Sequence, residues 1–275
     1  MFSIELECDS AHKDLLIAEL WEAGSAGIVE LDRGALRAFF DDDSARAALA
    51  ERFHAVSCRE EEQRDWIEES RAGFEPLAVG RRFYLVPEWR ADPAPGGRFR
   101  IAVNPGMAFG TGRHETTQLC LEAFETWLRP GAQVLDVGTG CGILAHAAAL
   151  LGARAVYACD IDPEAVSIAR GMAGANVFTG SVDAVRAGSA DLVAANISPE
   201  AIIALAPQLM RALAPDGVLL ASGFERQEIV AVAGALTSFG GTILEARHKG
   251  TWALLAVGVT LDGGAGHVDE QKAVS

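Results

Sequence analysis

Long apolar runs are missing from this 275-residue chain. The longest apolar stretch, residues 143 to 159, is interrupted by His146 and Arg154. The opening MFSIELECDSAHK carries acids where a signal peptide needs a basic and then an apolar run. Neither membrane insertion nor export is expected, and the chain reads as cytoplasmic. Cysteine is too sparse to form a scaffold. Cys8, Cys58, Cys120, Cys141 and Cys159 are odd in number, widely scattered and free of any C-x-x-C pair, which points away from a disulfide framework and from a thiolate zinc site. No metal is expected. Basic side chains are also in deficit, 23 against 38 acids. Residues 1 to 75 hold 8 against 19, whereas residues 76 to 275 hold 15 against 19, so the acidity sits in the N-terminal quarter. Such a surface repels a phosphate backbone and steers a basic protein partner toward itself. Charge alone equally describes solvated faces at DDDS (41 to 44) and REEEQRD (59 to 65).

What is present is a hydrophobic half of the residues, enough for one large core or two unequal domains. SIELECD, residues 3 to 9, alternates as a strand, and Ser10 can cap a helix over 11 to 23. Strands around 27 to 33 and 35 to 40 follow, then a helix capped by Asp43 or Ser44, then a strand at 55 to 60. The order β-α-β-β-α-β is that of a small α+β ferredoxin-like domain. Residues 63 to 98 read as a connector with a helical piece at DWIEESRAGF, an extended RRFYLVPEW and a loop ADPAPGGR. Beyond 99 strands and helices alternate, with strands at 133 to 137, 155 to 160, 175 to 179, 190 to 196 and 217 to 222, and helices at 142 to 151, 163 to 173 and 199 to 213. That pattern is α/β, a doubly wound Rossmann-like sheet covered on both faces. Strands at 242 to 248 and 251 to 258 are separated by too little chain for a parallel crossover, so the seven-stranded sheet should end in an antiparallel hairpin. The domains expected are 1–62, 63–98 as connector, 99–261 and a tail at 262–275.

The chemistry gathers around VLDVGTGCGILA, residues 134 to 145. A phosphate-binding loop of the G-x-x-x-x-G-K-[ST] kind needs a lysine, and none lies near. A dinucleotide turn wants its third glycine where Ile143 stands. Gly138, Gly140 and Gly142 instead let the backbone run close to a cofactor, with Asp136 available to a cationic or amine group. The next strand ends in Asp160, an acid suited to ribose hydroxyls at the carboxyl edge of a parallel sheet. Asp162, ahead of Pro163, is better suited to cap the following helix. Asn196 ends the fourth strand at the same edge, where an amide can orient an amine, although a turn-forming role is the ordinary alternative.

Together with NPGMAFGTGRHETTQLCL (104 to 121), CDIDPEAV and ANIS, these segments resemble class I S-adenosylmethionine-dependent methyltransferases, and in particular the PrmA family, which methylates the large-subunit ribosomal protein L11. The resemblance implies that Thr117, Gly138, Asp160 and Asn196 touch S-adenosylmethionine, Gly140 of the same turn being counted with them, and that residues 1–62 recognise the substrate while the connector lets them reorient. The chemistry of amine methylation separately suggests that Asn196 orients the acceptor amine through its side-chain oxygen. A basic ribosomal protein suits the acidic N-terminal quarter. Arg113 and Glu115 flank His114 where the family usually has threonine and proline, and Ser198 replaces a usual leucine.

The function expected is therefore protein N-methylation at α-amino or lysine nitrogens. An α-amino group, with a pKa near 7.7–8.0, is partly neutral at working pH, whereas lysine near 10.4 needs help from desolvation. The 106 to 117 loop is expected to close over the cofactor, and His114 to order that loop rather than act as a base. Other readings keep the cofactor but change the acceptor to another protein's lysine or a small molecule, or retain the fold as a binding module without transfer. An NAD oxidoreductase is a further alternative.

Overall fold

Alternation in FSIELE sends Phe2, Ile4 and Leu6 to one side of a strand and Ser3, Glu5 and Glu7 to the other, and the computed structural model uses both sides. It describes residues 1–8, 13–31, 34–41, 43–60, 75–104, 112–171 and 174–259. The chain divides into two compact units, Met1–Gly73 and Phe74–Ser275.

The first unit contains β1 (Phe2–Glu7), α1 (Lys13–Glu22), β2 (Gly27–Leu31), β3 (Ala35–Phe40), a 3-10 turn (Asp43–Ala45), α2 (Arg46–Arg52) and β4 (Ser57–Glu60). The strands lie in the order β2-β3-β1-β4, every pair antiparallel. This is the split arrangement expected of a ferredoxin-like domain. Its core is formed by Phe2, Ile4, Leu6, Leu36, Ala38 and Phe40 from the sheet with Leu20 and Leu49 from the helices. Phe2 and Phe40, paired in register, stack with centroids 5.3 Å apart. On the other sheet face Glu5 accepts from Arg37 (Nε, 3.0 Å) and Ser57 (3.0 Å), and Arg37 holds its carboxyl below the usual carboxylate range. Asp43 and Ser44, read as the cap, lie within the 3-10 turn instead, and α2 starts behind Ala45, which makes no side-chain cap. Ser10 and the helical piece at 65–74 lie outside the described residues.

The second unit opens with β5 (Leu77–Val79), β6 (Phe83–Pro87) and β7 (Phe99–Val103), a small sheet in which β6 pairs antiparallel with β5 and parallel with β7. Two of these strands fall within residues 63–98, the segment read as a connector. Then come α3 (Glu115–Trp127), β8 (Gln133–Val137), α4 (Ile143–Leu150), β9 (Ala155–Asp160), α5 (Pro163–Gly171), β10 (Asn176–Thr179), β11 (Ala190–Asn196), α6 (Pro199–Ala212), β12 (Leu213–Glu225), α7 (Ile229–Thr237), β13 (Gly241–Lys249) and β14 (Trp252–Val259). Among the described residues β8 to β14 form a seven-stranded sheet ordered β10-β9-β8-β11-β12-β14-β13. The first five strands are mutually parallel, and β14 runs antiparallel to both neighbours. The doubly wound sheet and its closing hairpin are thus as the pattern implied.

Adjacent apolar residues serve opposite faces. Val134, Leu192, Leu220 and Leu254 pack with α3, α4 and the small sheet, while Leu135, Val193, Leu219 and Leu255 pack with α6 and α7. Burying each such side chain contributes about 1.5–3 kcal/mol, and burial on both faces explains why the strands read as unbroken apolar runs. The crossover from β10 to β11 departs from this scheme. It carries a single 3-10 turn, Val182–Ala184, and beside it Gln133, Tyr157, Phe178, Arg186 and Ser189 line a cavity of about 430 Å³.

Candidate cofactor and transfer site

The strand order reverses between β8 and β11: the chain leaves β8 toward β9 on one side and β11 toward β12 on the other. Such a switch point opens a crevice at the carboxyl ends of the strands. The glycine turn, Asp136, Asp160 and Asn196 lie there, and the cavity near Tyr157 does not.

The glycine turn follows β8. Gly138, Gly140 and Gly142 have φ of 70°, 54° and 86°, a region costly for other residues. Close approach adds a second requirement. A Cβ on Gly138 would lie 2.2 Å from Ile197 Cγ2, and one on Gly142 would lie 3.1 Å from Ala169 of α5. Gly138 N and Thr139 N donate to Cys159 O at 2.9 and 3.0 Å, which binds the turn to the end of β9.

Asp136 sits beneath this turn, 1% exposed. Its Oδ2 accepts from Thr139 Oγ1 at 2.6 Å and from Ala145 N at 3.1 Å, bracing the turn against the first turn of α4. Oδ1 is buried and has no hydrogen-bond partner among the described residues. Burial pushes the Asp136 carboxyl up to about 6, against the pull of Thr139 and Ala145. An orphaned buried acceptor beside a glycine cradle fits a cofactor with a cationic amino group.

Asp160 ends β9. Its Oδ2 accepts from Gly140 N at 2.9 Å and its Oδ1 from Asp162 N at 3.1 Å, so the carboxylate is held still while each oxygen keeps a lone pair free. Asp162 Oδ1 accepts from Glu164 N at 2.8 Å. It caps α5 just ahead of Pro163, the structural role read for it.

Asn196 ends β11, and its Nδ2 donates to Thr117 Oγ1 at 3.4 Å. Thr117 is buried in the first turn of α3. The Gly138–Ile197 approach places this pair next to the glycine turn, so Thr117, Gly138, Gly140, Asp160 and Asn196 come together at one edge. His114 is the N-cap of α3: Nδ1 accepts from Thr116 N at 3.4 Å and lies 2.8 Å from Thr116 Oγ1, while its ring meets Trp252 edge-on at 4.6 Å. The atypical flanking residues also have partners. Arg113 donates to Glu75 O at 2.8 Å, and Glu115 places a negative charge at the α3 N-terminus, where the helix dipole favours it. Ser198 caps α6 by accepting from Ala201 N at 3.3 Å. Most of the AFGTG segment lies outside the described residues.

Sequence reasoning passed over Ile161, which is 78% exposed directly beside Asp160. The signal was a lone apolar residue between two acids in CDID. It also passed over Lys249 and Trp252 at the hairpin tip, where no motif draws attention. Among the described residues no group of three metal-ligating side chains occurs, and no helix is long and apolar enough to cross a membrane.

A seven-stranded sheet ending in an antiparallel hairpin, with a glycine turn and an acid on adjacent strands at its switch point, defines a class I S-adenosylmethionine-dependent methyltransferase. Residues 33–259 match the family described as ribosomal protein L11 methyltransferase (PrmA), and the chain belongs to that family. Two relatives named ribosomal protein L11 methyltransferase are similar to it. One, from Pelotomaculum thermopropionicum, is 44% identical over 209 residues, covering 74% of this chain and 68% of its own; the other, from Deinococcus radiodurans, is 40% identical over 173 residues, covering 62% and 60%. The match thus spans about two thirds of the relatives' length. A crystal structure described as ribosomal protein L11 methylase from Lactobacillus delbrueckii subsp. bulgaricus superposes with a TM-score of 0.62 at 34% identity, covering 68% of this chain and 100% of that one.

Proposed function

We propose that this protein transfers methyl groups from S-adenosylmethionine to amino groups, α-amino or lysine, of ribosomal protein L11, and that it does so in the cytoplasm. The observation that carries the reading is the meeting of Gly138, Gly140 and Asp160 with the Thr117–Asn196 pair at one sheet edge.

When bound, S-adenosylmethionine supplies a methyl group on a sulfonium, reactive toward a neutral amine. The chain's own residues supply position and electrostatics. Asp160, fixed by Gly140 and Asp162, accepts from the ribose hydroxyls, and the exposed Ile161 offers an apolar surface to the base. Asp136, buried beneath the glycine turn, favours a cationic amino end above that turn through the field of its carboxylate. Asn196, its Nδ2 engaged by Thr117, turns its side-chain oxygen to the incoming amine and holds the lone pair toward the methyl group. No dedicated base is required for an α-amino acceptor, part of which is neutral near pH 7.7–8.0. The acid surplus of residues 1–75 favours encounter with a basic acceptor.

The test is intact-mass spectrometry of L11 before and after incubation with enzyme and cofactor. Methylation appears as discrete increments of one methylene each, and an unchanged mass would overturn the acceptor. Asn196→Ala should lower turnover by about 100-fold, measured with L11 and labelled cofactor. Turnover and cofactor binding both within about twofold of wild type would remove Asn196 from the transfer step.

A further inference from the structure

The turn Gly250–Thr251 closes the β13–β14 hairpin and places Lys249 directly opposite Trp252. Both side chains reach the start of α3. The Trp252 ring packs on His114, the α3 N-cap. Lys249 Nζ donates to Gln118 Oε1 and to Glu122 Oε1, each at 2.8 Å. Gln118 in turn donates through Nε2 to Arg113 O at 2.7 Å, on the residue just before the cap. Gln118 and Glu122 stand one turn apart on the helix face toward the hairpin. Thr117, the next residue round the helix, meets Asn196 from β11.

The Thr117–Asn196 contact, at 3.4 Å, lies at the long limit for a hydrogen bond, where a few tenths of an ångström decide whether it exists. Its length depends on where the first turn of α3 sits, and that turn is pinned from the hairpin side by Lys249 and Trp252. The far end of α3 is pinned separately. Arg247 donates to Thr126 Oγ1 at 2.8 Å and pairs with Glu245, which accepts from Trp127 Nε1 at 2.9 Å.

We infer that Lys249 is a positioning residue of the transfer site, holding the first turn of α3 so that Thr117 engages Asn196. The inference rests on the function proposed above for its consequence, while its geometry can be tested without cofactor. The comparison uses three variants of the full chain. Lys249→Met keeps the aliphatic stem and loses the ammonium, Lys249→Arg keeps the charge and donors, and Arg247→Met removes an equal charge at the other end of the same helix. In unliganded protein, amide hydrogen exchange at Thr116–Cys120 should accelerate about tenfold in Lys249→Met and stay within about twofold of wild type in the other two. Affinity for S-adenosylhomocysteine, by calorimetry, should weaken about fivefold in Lys249→Met, recover in Lys249→Arg and hold in Arg247→Met. Unchanged exchange in Lys249→Met overturns the clamp. Equal affinity losses in Lys249→Met and Arg247→Met overturn the positioning role in favour of general helix docking. A wild-type chain that binds no S-adenosylhomocysteine overturns the proposed function, and the exchange measurement still decides the clamp.

Discussion

Asp136 carries a cost in its ionised form, because burial opposes the charge that a cofactor's amino group would favour. Its carboxyl titrates at about 6 when folded against 3.8 for the unperturbed group. Between those values the folded state binds more protons than the unfolded one. The associated stability is therefore complete below about pH 4 and is lost as pH rises through 6, on the order of 3 kcal/mol in all. Asp136→Asn keeps an acceptor for Thr139 and Ala145 and removes the titration. Urea unfolding of wild type and variant at pH 4 and pH 7 should show the stability difference moving toward the variant by about that amount; a difference independent of pH contradicts the assignment. Gly138→Ala tests the neighbouring backbone. A methyl 2.2 Å from Ile197 Cγ2, at a φ of 70°, forces Ile197 and the adjoining Asn196 to move. Cofactor affinity should fall at least about tenfold with a stability loss of about 1–3 kcal/mol, read by calorimetry and denaturant midpoint.

Two acids two residues apart do different work at the level of the element. Asp162 caps α5 and Asp160 orders the glycine turn. Asp162→Ala should cost about 1 kcal/mol of stability and leave S-adenosylhomocysteine affinity within about twofold. Asp160→Ala should reduce that affinity by at least about tenfold; equal effects from the two variants contradict the division. That division was legible in CDIDP because proline at the first helical position marks the residue before it as the cap. The bounds of β8, β9 and β11 were legible too, since buried parallel strands are apolar throughout and stop at polar turns. The helix α3 was not. Its body, QLCLEAFE, is rich in helix formers, but it opens with two β-branched threonines behind a histidine cap, so no Ser, Thr, Asp or Asn start signal announces it. In the sheet of β5, β6 and β7 only β6 was legible, within the extended RRFYLVPEW, and the pairing was hidden for another reason. Its strands run three to five residues, and the parallel pair β6–β7 is joined by a loop with no helix in it. The hairpin clamp on α3 is a tertiary contact between positions about 130 apart in the chain, and no local pattern encodes it.

On the scale of the whole molecule, the two units have cores with no residue in common. Removing residues 1–73 should therefore leave S-adenosylhomocysteine binding within about threefold while abolishing methylation of L11; a truncated chain that still methylates L11 would place acceptor recognition elsewhere. The acid surplus of residues 1–75 adds a salt dependence. Raising ionic strength from about 0.05 to 0.5 M should increase KM for L11 several-fold while leaving cofactor affinity little changed, because screening acts on exposed charges. Both sides of this architecture were readable from the order of the elements, whereas the fit between an acceptor and the first unit has no counterpart in a single chain. The strand β13 has one more effect. Among the described residues it is one of the two edges of the large sheet, nine residues long, and such edges invite a strand from another molecule to add on. Here a register shift near Ile243 breaks the regular spacing of the outer backbone groups, and Glu245, Arg247 and Lys249 set a line of charge along the strand. The side chains that hold α3 in place also guard the protein against edge-to-edge aggregation.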